Sequence, residues 1–230
     1  MKSNKEWAEQ FIRKIDPAFR DRWEIYEDLL TAHFTPSTRW LDLGAGSNEA
    51  VWEFSQRVHL AVGMDILKSN RYPHKNFICA DIPHLPLKTG SINFISLRFV
   101  VEHLNRIEAC FAEMSRVVEK GGKILILTTN LTCPFIFIPK LIPYRWRSRM
   151  MKAVFKVSTE DIFPTYHRLN SVLKFRKQIG DFKRVKLEFI QDINYSRMPL
   201  FWLFFSWHLL TRGKYLAFLR SNILAVYQKV

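Results

Sequence analysis

Three aspartates each close a short apolar run: Asp42 after Trp40-Leu41, Asp65 after Ala61-Val62-Gly63-Met64, and Asp81 after Phe77-Ile78-Cys79-Ala80. A carboxylate at the end of a buried strand can accept hydrogen bonds from the hydroxyl and amino groups of a ligand lying across the strand ends. The first run continues into Gly44-Ala45-Gly46-Ser47-Asn48-Glu49. Glycines suit a tight turn there, where a ligand must approach the backbone without meeting a Cβ. A pyrophosphate would need a small residue at position 49, near a helix start, and Glu49 repels phosphate instead. This pattern disfavours a pyrophosphate and suits a ligand whose hydroxyl and amino groups meet the carboxylates.

Two further clusters could move a proton. Arg98-Phe99-Val100-Val101-Glu102-His103 follows a fourth apolar run, and histidine is the residue type suited to general base work near neutrality. Phe163-Pro164-Thr165-Tyr166-His167-Arg168 is a second polar, aromatic cluster. Each feature also has a plainer reading. A strand-end aspartate often caps a turn, Glu102 and His103 could merely start a helix, and Tyr166 could pack on a sheet.

These residues need a scaffold that brings strand ends together. The apolar runs 39–43, 59–64, 76–80, 92–97 and 123–128 read as strands buried on both faces. Segment 106–119 between the last two carries one apolar stripe, Ile107, Cys110, Phe111, Met114, Val117 and Val118. Gly121-Gly122 marks the expected end of that helix and entry to the next strand. Strand–helix alternation of this kind predicts a doubly wound α/β sheet. Ahead of it, residues 5–34 predict two helices broken near Pro17. Later, 169–179 reads as helical, and 185–190 and 222–228 read as strands.

Over residues 38–130 the sequence resembles the class I S-adenosylmethionine-dependent methyltransferases, especially their small-molecule and lipid branch. Leu41-Asp42-Leu43-Gly44-Ala45-Gly46 is similar to their first motif and Gly63-Met64-Asp65 to the ribose-binding acid. The stretch 79–97 resembles the adenine-side loop and following strand, and 116–126 the late helix–Gly-Gly–strand motif. The resemblance implies a Rossmann-like, seven-stranded, mostly parallel sheet and S-adenosylmethionine as cofactor. It places Asp42, Gly44 and Gly46 around the methionine part, Asp65 with Ile66 at the ribose, Asp81 with Ile82 at the adenine, and Arg98 beside the cofactor. It puts the acceptor near Glu102 and His103, with Tyr166 and His167 reaching over from a late insertion. Asn48 stands where many relatives have a third glycine, and asparagine tolerates unusual turn conformations. Position 97 onward reads Leu-Arg-Phe-Val rather than the Asn-Pro-Pro-Tyr type used on amino groups of adenine or glutamine. No cysteine stands where a cytosine C5 methyltransferase needs its nucleophile.

One domain is expected over 1–230, with helices in 1–37, the cofactor core in 38–130, and insertions in 131–167 and 197–220 forming an acceptor lid. The net charge is +14 over 230 residues, which attracts polyanions. The nearly all-apolar residues Met198 to Leu210 are too few to span a bilayer. With Tyr215 to Leu219 they are expected to form a helical hairpin in the interface, Trp202 and Trp207 at headgroup level. The expected partners are thus a small-molecule or lipid-linked acceptor and an anionic membrane surface on the cytoplasmic face. O-methylation is favoured over C-methylation. Cys79, Cys110 and Cys133 have neither metal nor disulfide spacing and read as reduced structural thiols, with no signal segment ahead of them. The rival readings are an RNA methyltransferase using Lys174, Arg176, Lys177, Lys183 and Arg184, a non-catalytic cofactor-binding scaffold, and a nucleotide-dependent oxidoreductase.

Overall fold

The computed structural model describes residues 4–67, 76–142, 165–177 and 179–230, and the chain divides into two compact units. The larger gathers the described parts of Tyr26–Thr129, Pro164–Glu188 and Ile223–Val230. The strands are β1 (Arg39–Leu43), β2 (Leu60–Asp65), β3 (Phe77–Cys79), β4 (Ile92–Arg98), β5 (Val118–Thr129), β6 (Phe182–Ile190) and β7 (Asn222–Lys229). They form one sheet in the order β3-β2-β1-β4-β5-β7-β6. The pairs β1–β2, β1–β4, β2–β3 and β4–β5 are parallel. This is the Rossmann-like, doubly wound α/β class. Trp40, Leu41, Leu43, Ile95 and Leu97 are fully buried, which is why β1 and β4 are apolar on both faces rather than alternating.

The helices are α1 (Asn4–Ile15), α2 (Arg22–Thr31), α3 (Glu49–Phe54), α4 (Ile107–Val117), α5 (Pro134–Leu141), α6 (Val172–Phe175) and α7 (Met198–Thr211). α4 buries Ile107, Cys110, Phe111, Met114 and Val117. Its outer face fastens the turn that follows Asp81. Glu113 accepts from the Leu85 amide at 3.0 Å, and Arg116 donates to the Leu85 and Leu87 carbonyls at 2.8 Å each.

The smaller unit gathers the described parts of Met1–Ile25, Asn130–Phe163 and Phe189–Asn222. Its core is Ala8, Ile12, Phe19, Ile193, Phe201 and Phe205. His208 on α7 meets Asp16 at 2.9 Å among these side chains, and burial lowers the histidine's pKa against the opposing pull of Asp16. Arg220 closes α7, donating to the Thr211 carbonyl at 3.0 Å and the Arg212 carbonyl at 2.8 Å. These are the orphan acceptors of a helix C-terminus, where a cation is favoured.

Several sequence expectations need correction. α4 ends at Val117 and β5 starts at Val118, before the Gly121-Gly122 pair rather than after it. The β4–β5 register jumps from Ile92↔Val118 to Phe94↔Lys123, and the extra residues turn through Gly121 at φ +82°. A Cβ on Gly122 would lie 2.5 Å from Val118 Cγ1, so the glycines serve a strand bulge. Within 169–179 only α6, a single turn, is helical among the described residues. Tyr215 to Leu219 is not the second arm of a helical hairpin but leads into a 3-10 turn, Ala217–Leu219. The Trp207 indole donates to the Leu219 carbonyl at 3.2 Å, which holds this turn against α7. Cys110 and Cys133 are buried, whereas Cys79 is exposed. Positions 143–164 of the first insertion lie outside the described residues.

Candidate active site

In a parallel sheet, strand ends diverge where the strand order reverses, and ligands bind in the crevice beyond them. Here that point lies between β1 and β4, the two strands from which the order runs outward in opposite directions. Asp42 sits one residue before the end of β1, Asp65 ends β2, Asp81 follows β3, and Arg98 ends β4. The topology therefore gathers the three sequence-marked carboxylates and the post-β4 segment along one edge of the larger unit.

Asp42 is paired in register with Ser96 of β4. Ser96 donates to Asp42 Oδ1 at 2.5 Å and accepts from Trp40 Nε1 at 2.7 Å. Tyr26 of α2, also fully buried, reaches the same hydroxyl. Burial pushes the Asp42 carboxyl up to about 6, opposed by the Ser96 hydrogen bond and the Arg98 charge. Below 3.8, the ordinary value, both folded and unfolded chains are protonated here. Between there and about 6 the folded chain keeps a proton that the unfolded chain has lost, so this group's contribution to stability falls as pH rises through that window. The expected size is on the order of 3 kcal/mol. Urea unfolding from pH 4 to 7 checks it. The wild type should lose stability relative to Asp42→Asn across the window, and parallel curves would show that Asp42 does not titrate there.

Gly44 and Gly46 sit at φ +71° and +54°. A Cβ on Gly44 would lie 2.2 Å from Val100 Cγ2, whereas nothing lies within 4 Å of one on Gly46. The first glycine thus lets the post-β4 segment close against the loop, and only the second leaves open space for a ligand. Asn48 is buried in the left-handed region at φ 64° and makes no side-chain cap. Its amide lies against Gly63, with Oδ1 only 1.9 Å from where a Cβ there would stand. Asp65 accepts from the Gly46 amide at 2.8 Å and the Leu67 amide at 3.0 Å. Ile66 beside it is exposed. Asp81 precedes the 3-10 turn Ile82–His84 without a side-chain capping bond, so the plain capping role does not account for it. Ile82 beside it is buried.

Phe99, directly after β4, has φ +56°, an uncommon value for a bulky residue and one that marks a constrained turn. Glu102 and His103 follow on the 3-10 turn Val101–His103. Glu102 is buried and accepts from Thr128 Oγ1 at 2.6 Å. Burial raises its pKa against that bond, two backbone amides and the nearby His103. Thr128 in turn accepts from Asn170 Nδ2 at 2.6 Å, and Asn170 also donates to the Thr129 carbonyl at 2.9 Å. The carbonyl requires a donor, which fixes the amide's orientation. Thr128 then has its one proton free only for Glu102.

The Glu102 carbonyl accepts the amides of Tyr166 and His167 at 2.8 and 3.0 Å. Both clusters picked out from the sequence thus meet at one residue. Glu102 itself, inside this network, holds its neighbours in place, while His103 is half-buried and Tyr166 exposed. Tyr26, Ser96, Thr128 and Asn170 were not singled out in the sequence. A lone serine in β4 and a threonine pair ending β5 were the available signals for Ser96 and Thr128.

Of the basic residues proposed for RNA, Lys174 and Lys177 line a cleft of about 620 Å³ with Arg168. Glu108 and Asp181 share that lining, and Lys174 Nζ donates to the Arg168 carbonyl. Carboxylates within the cleft oppose a phosphate track. Among the described residues no group of three or more His, Cys, Asp or Glu could hold a metal ion.

Residues 41–126 match a family model described as a methyltransferase domain. Demethylmenaquinone methyltransferase of Corynebacterium kroppenstedtii is 25% identical over 130 residues, covering 55% of this chain and 56% of that protein. The chain spans less than two thirds of the length of the first curated relatives it matches. An S-adenosylmethionine-dependent methyltransferase from Archaeoglobus fulgidus superposes with TM-score 0.56 at 18% identity, covering 91% of this chain and all of that one. Geranyl diphosphate C-methyltransferase of Streptomyces coelicolor A3(2), solved with S-adenosyl-L-homocysteine, gives 0.53 at 15% identity, covering 90% and 76%. Over residues 41–126 the chain is thus similar to a methyltransferase domain, and its fold is that of the solved methyltransferases.

Proposed function

We propose that this chain moves the methyl group of S-adenosylmethionine to a lipid or lipid-linked acceptor on the cytoplasmic face of a membrane, with oxygen favoured as the methylated atom. The observation that carries this is the Glu102 hub, which fastens Tyr166 and His167 to the turn bearing His103, directly after β4. The cofactor supplies an activated methyl group. What remains for the protein is alignment and, for a hydroxyl acceptor, removal of a proton. In this reading Asp42, Gly44 and Gly46 hold the methionine part, Asp65 and Ile66 the ribose, Asp81 and Ile82 the adenine. Arg98 lies beside them, and His103 takes the acceptor proton. Glu102 positions it, and Tyr166 with His167 covers the acceptor.

A second reading, transfer to a ring carbon, is favoured by the relatives named as quinone-pathway methyltransferases. It needs the same base, because a phenol-like hydroxyl must lose its proton before the ring carbon attacks. The test is transfer of a labelled methyl group from the cofactor into a fractionated cell extract. Label in the lipid fraction is expected, and carbon NMR of the product separates an oxygen-bound from a carbon-bound methyl. Label confined to RNA or to water-soluble compounds would overturn the lipid reading. Cofactor binding without transfer to any fraction would favour the scaffold reading.

A further inference from the structure

The smaller unit leaves an apolar surface uncovered. On α7 the buried side chains are Phe201, Phe205, His208 and Thr211, whereas Trp202, Leu203, Leu209 and Leu210 face outward, Trp202 44% and Leu210 56% exposed. α5 packs on α7 through Phe135, stacked on Phe204 at 4.7 Å and edge-on to Trp207 at 5.3 Å. It exposes Phe137, Ile138 and Leu141. Beyond α7, Tyr215 is 80% exposed with Lys214 Nζ 5.2 Å from its ring centre.

Within these segments the charge is of one sign, while α1, whose Phe11 meets Trp202 edge-on at 5.3 Å, adds Glu6 and Glu9 against Lys5, Arg13 and Lys14. Arg197 and Arg212 stand at the two ends of α7, Lys214 follows, and neither 130–142 nor 193–220 contains an aspartate or glutamate. Contiguous apolar surface rimmed by cations fits the interface of a bilayer bearing anionic headgroups. α7 has 14 residues, and no helix among the described residues is long and apolar enough to cross a membrane, so it would lie along the surface. A second copy of this chain fits less well, because it would bring the same cations together with no acid from these segments between them.

We propose that the outward face of α7, with the exposed residues of α5 and Tyr215, seats in the interface of an anionic bilayer while Arg212 and Lys214 engage lipid phosphates. This rests on the reading that the acceptor is a lipid, and it assigns the contact to particular residues. Of the side chains first expected at headgroup level, Trp202 is retained. Trp207 is replaced by Leu203 and Leu210, because its indole is held by the Leu219 carbonyl.

The test is sedimentation with vesicles of phosphatidylglycerol and phosphatidylcholine, against phosphatidylcholine alone. The wild type should pellet with the anionic vesicles. Changing Trp202, Leu203 and Leu210 to Ser should weaken binding at least about tenfold. Should that variant fold poorly, Arg212→Glu with Lys214→Glu changes exposed charges only and should weaken anionic binding about as much. Wild type that stays in the supernatant, or variants that pellet like wild type, would overturn the proposal. A dimer in analytical ultracentrifugation that the serine changes dissolve would give the face to a second copy instead. A thermal shift with S-adenosylhomocysteine on the same samples separates the two readings. Vesicle binding without that shift removes the methyltransferase reading and leaves the docking face standing.

Discussion

Replacing His103 with Ala should lower methyl transfer about 100- to 10,000-fold, the usual contribution of a positioned general base, while S-adenosylhomocysteine stabilises the variant as well as the wild type. His103 lies on the turn directly after β4, three residues beyond Val100, whose side chain closes on Gly44. That places it beside the Gly44–Gly46 loop without making it part of the loop. Glu102→Gln is the informative contrast. A glutamine still accepts from Thr128, and its carbonyl still receives the Tyr166 and His167 amides, so the fold of the turn should persist. If Glu102 only positions, its loss of charge should cost far less rate than loss of His103. A greater loss in the Glu102 variant, with normal transfer by His103→Ala, would reverse the two roles. Imidazole added to His103→Ala should restore part of the rate, which a packing defect would not allow.

The second large effect is expected at the cofactor. Ligand at 100 times its dissociation constant stabilises a protein by about 2.7 kcal/mol. Removing a charged acceptor of ligand hydroxyl groups typically costs roughly 1.5–3 kcal/mol. In Asp65→Ala the S-adenosylhomocysteine shift in Tm should therefore shrink to between about a half and a tenth of its wild-type size at the same ligand concentration. Asp65 also holds the Gly46 and Leu67 amides, so the ligand-free variant should melt lower as well. The shift has to be taken within each variant. An undiminished shift would mean that the ribose hydroxyls meet some other group.

Much of the scaffold could be read from the chain because strands buried on both faces write themselves as apolar runs. The edges of 39–43 were legible to the residue and those of β2, β3, β4 and β7 to within one, whereas β5 starts five residues and β6 three residues ahead of the runs read for them. The networks were not legible. Ser96 matters because the register sets it opposite Asp42, and register between distant strands leaves no periodic mark. Asn170 lies far from Thr128 in sequence, in a segment of irregular backbone. The inward face of α7 was hidden for another reason. The helix is apolar on nearly all sides, so no stripe separates Phe205, which is buried, from Trp202, which is not. Gly121-Gly122 misled because glycine pairs end helices and permit bulges by the same backbone freedom.

The hydrogen bond from the Trp40 indole to Ser96 gives the protein an optical consequence. Trp40 is fully shielded from solvent, while Trp7, Trp52 and Trp202 are open to it. A dissolved quencher such as iodide would silence the open indoles first and leave Trp40, with the half-buried Trp23 and Trp207, as the source of the remaining emission. Since one hydroxyl joins that indole to Asp42, the emission colour of Trp40, isolated by changing Trp23 and Trp207 to Phe, becomes a native readout of the charge near the end of β1, with no dye attached.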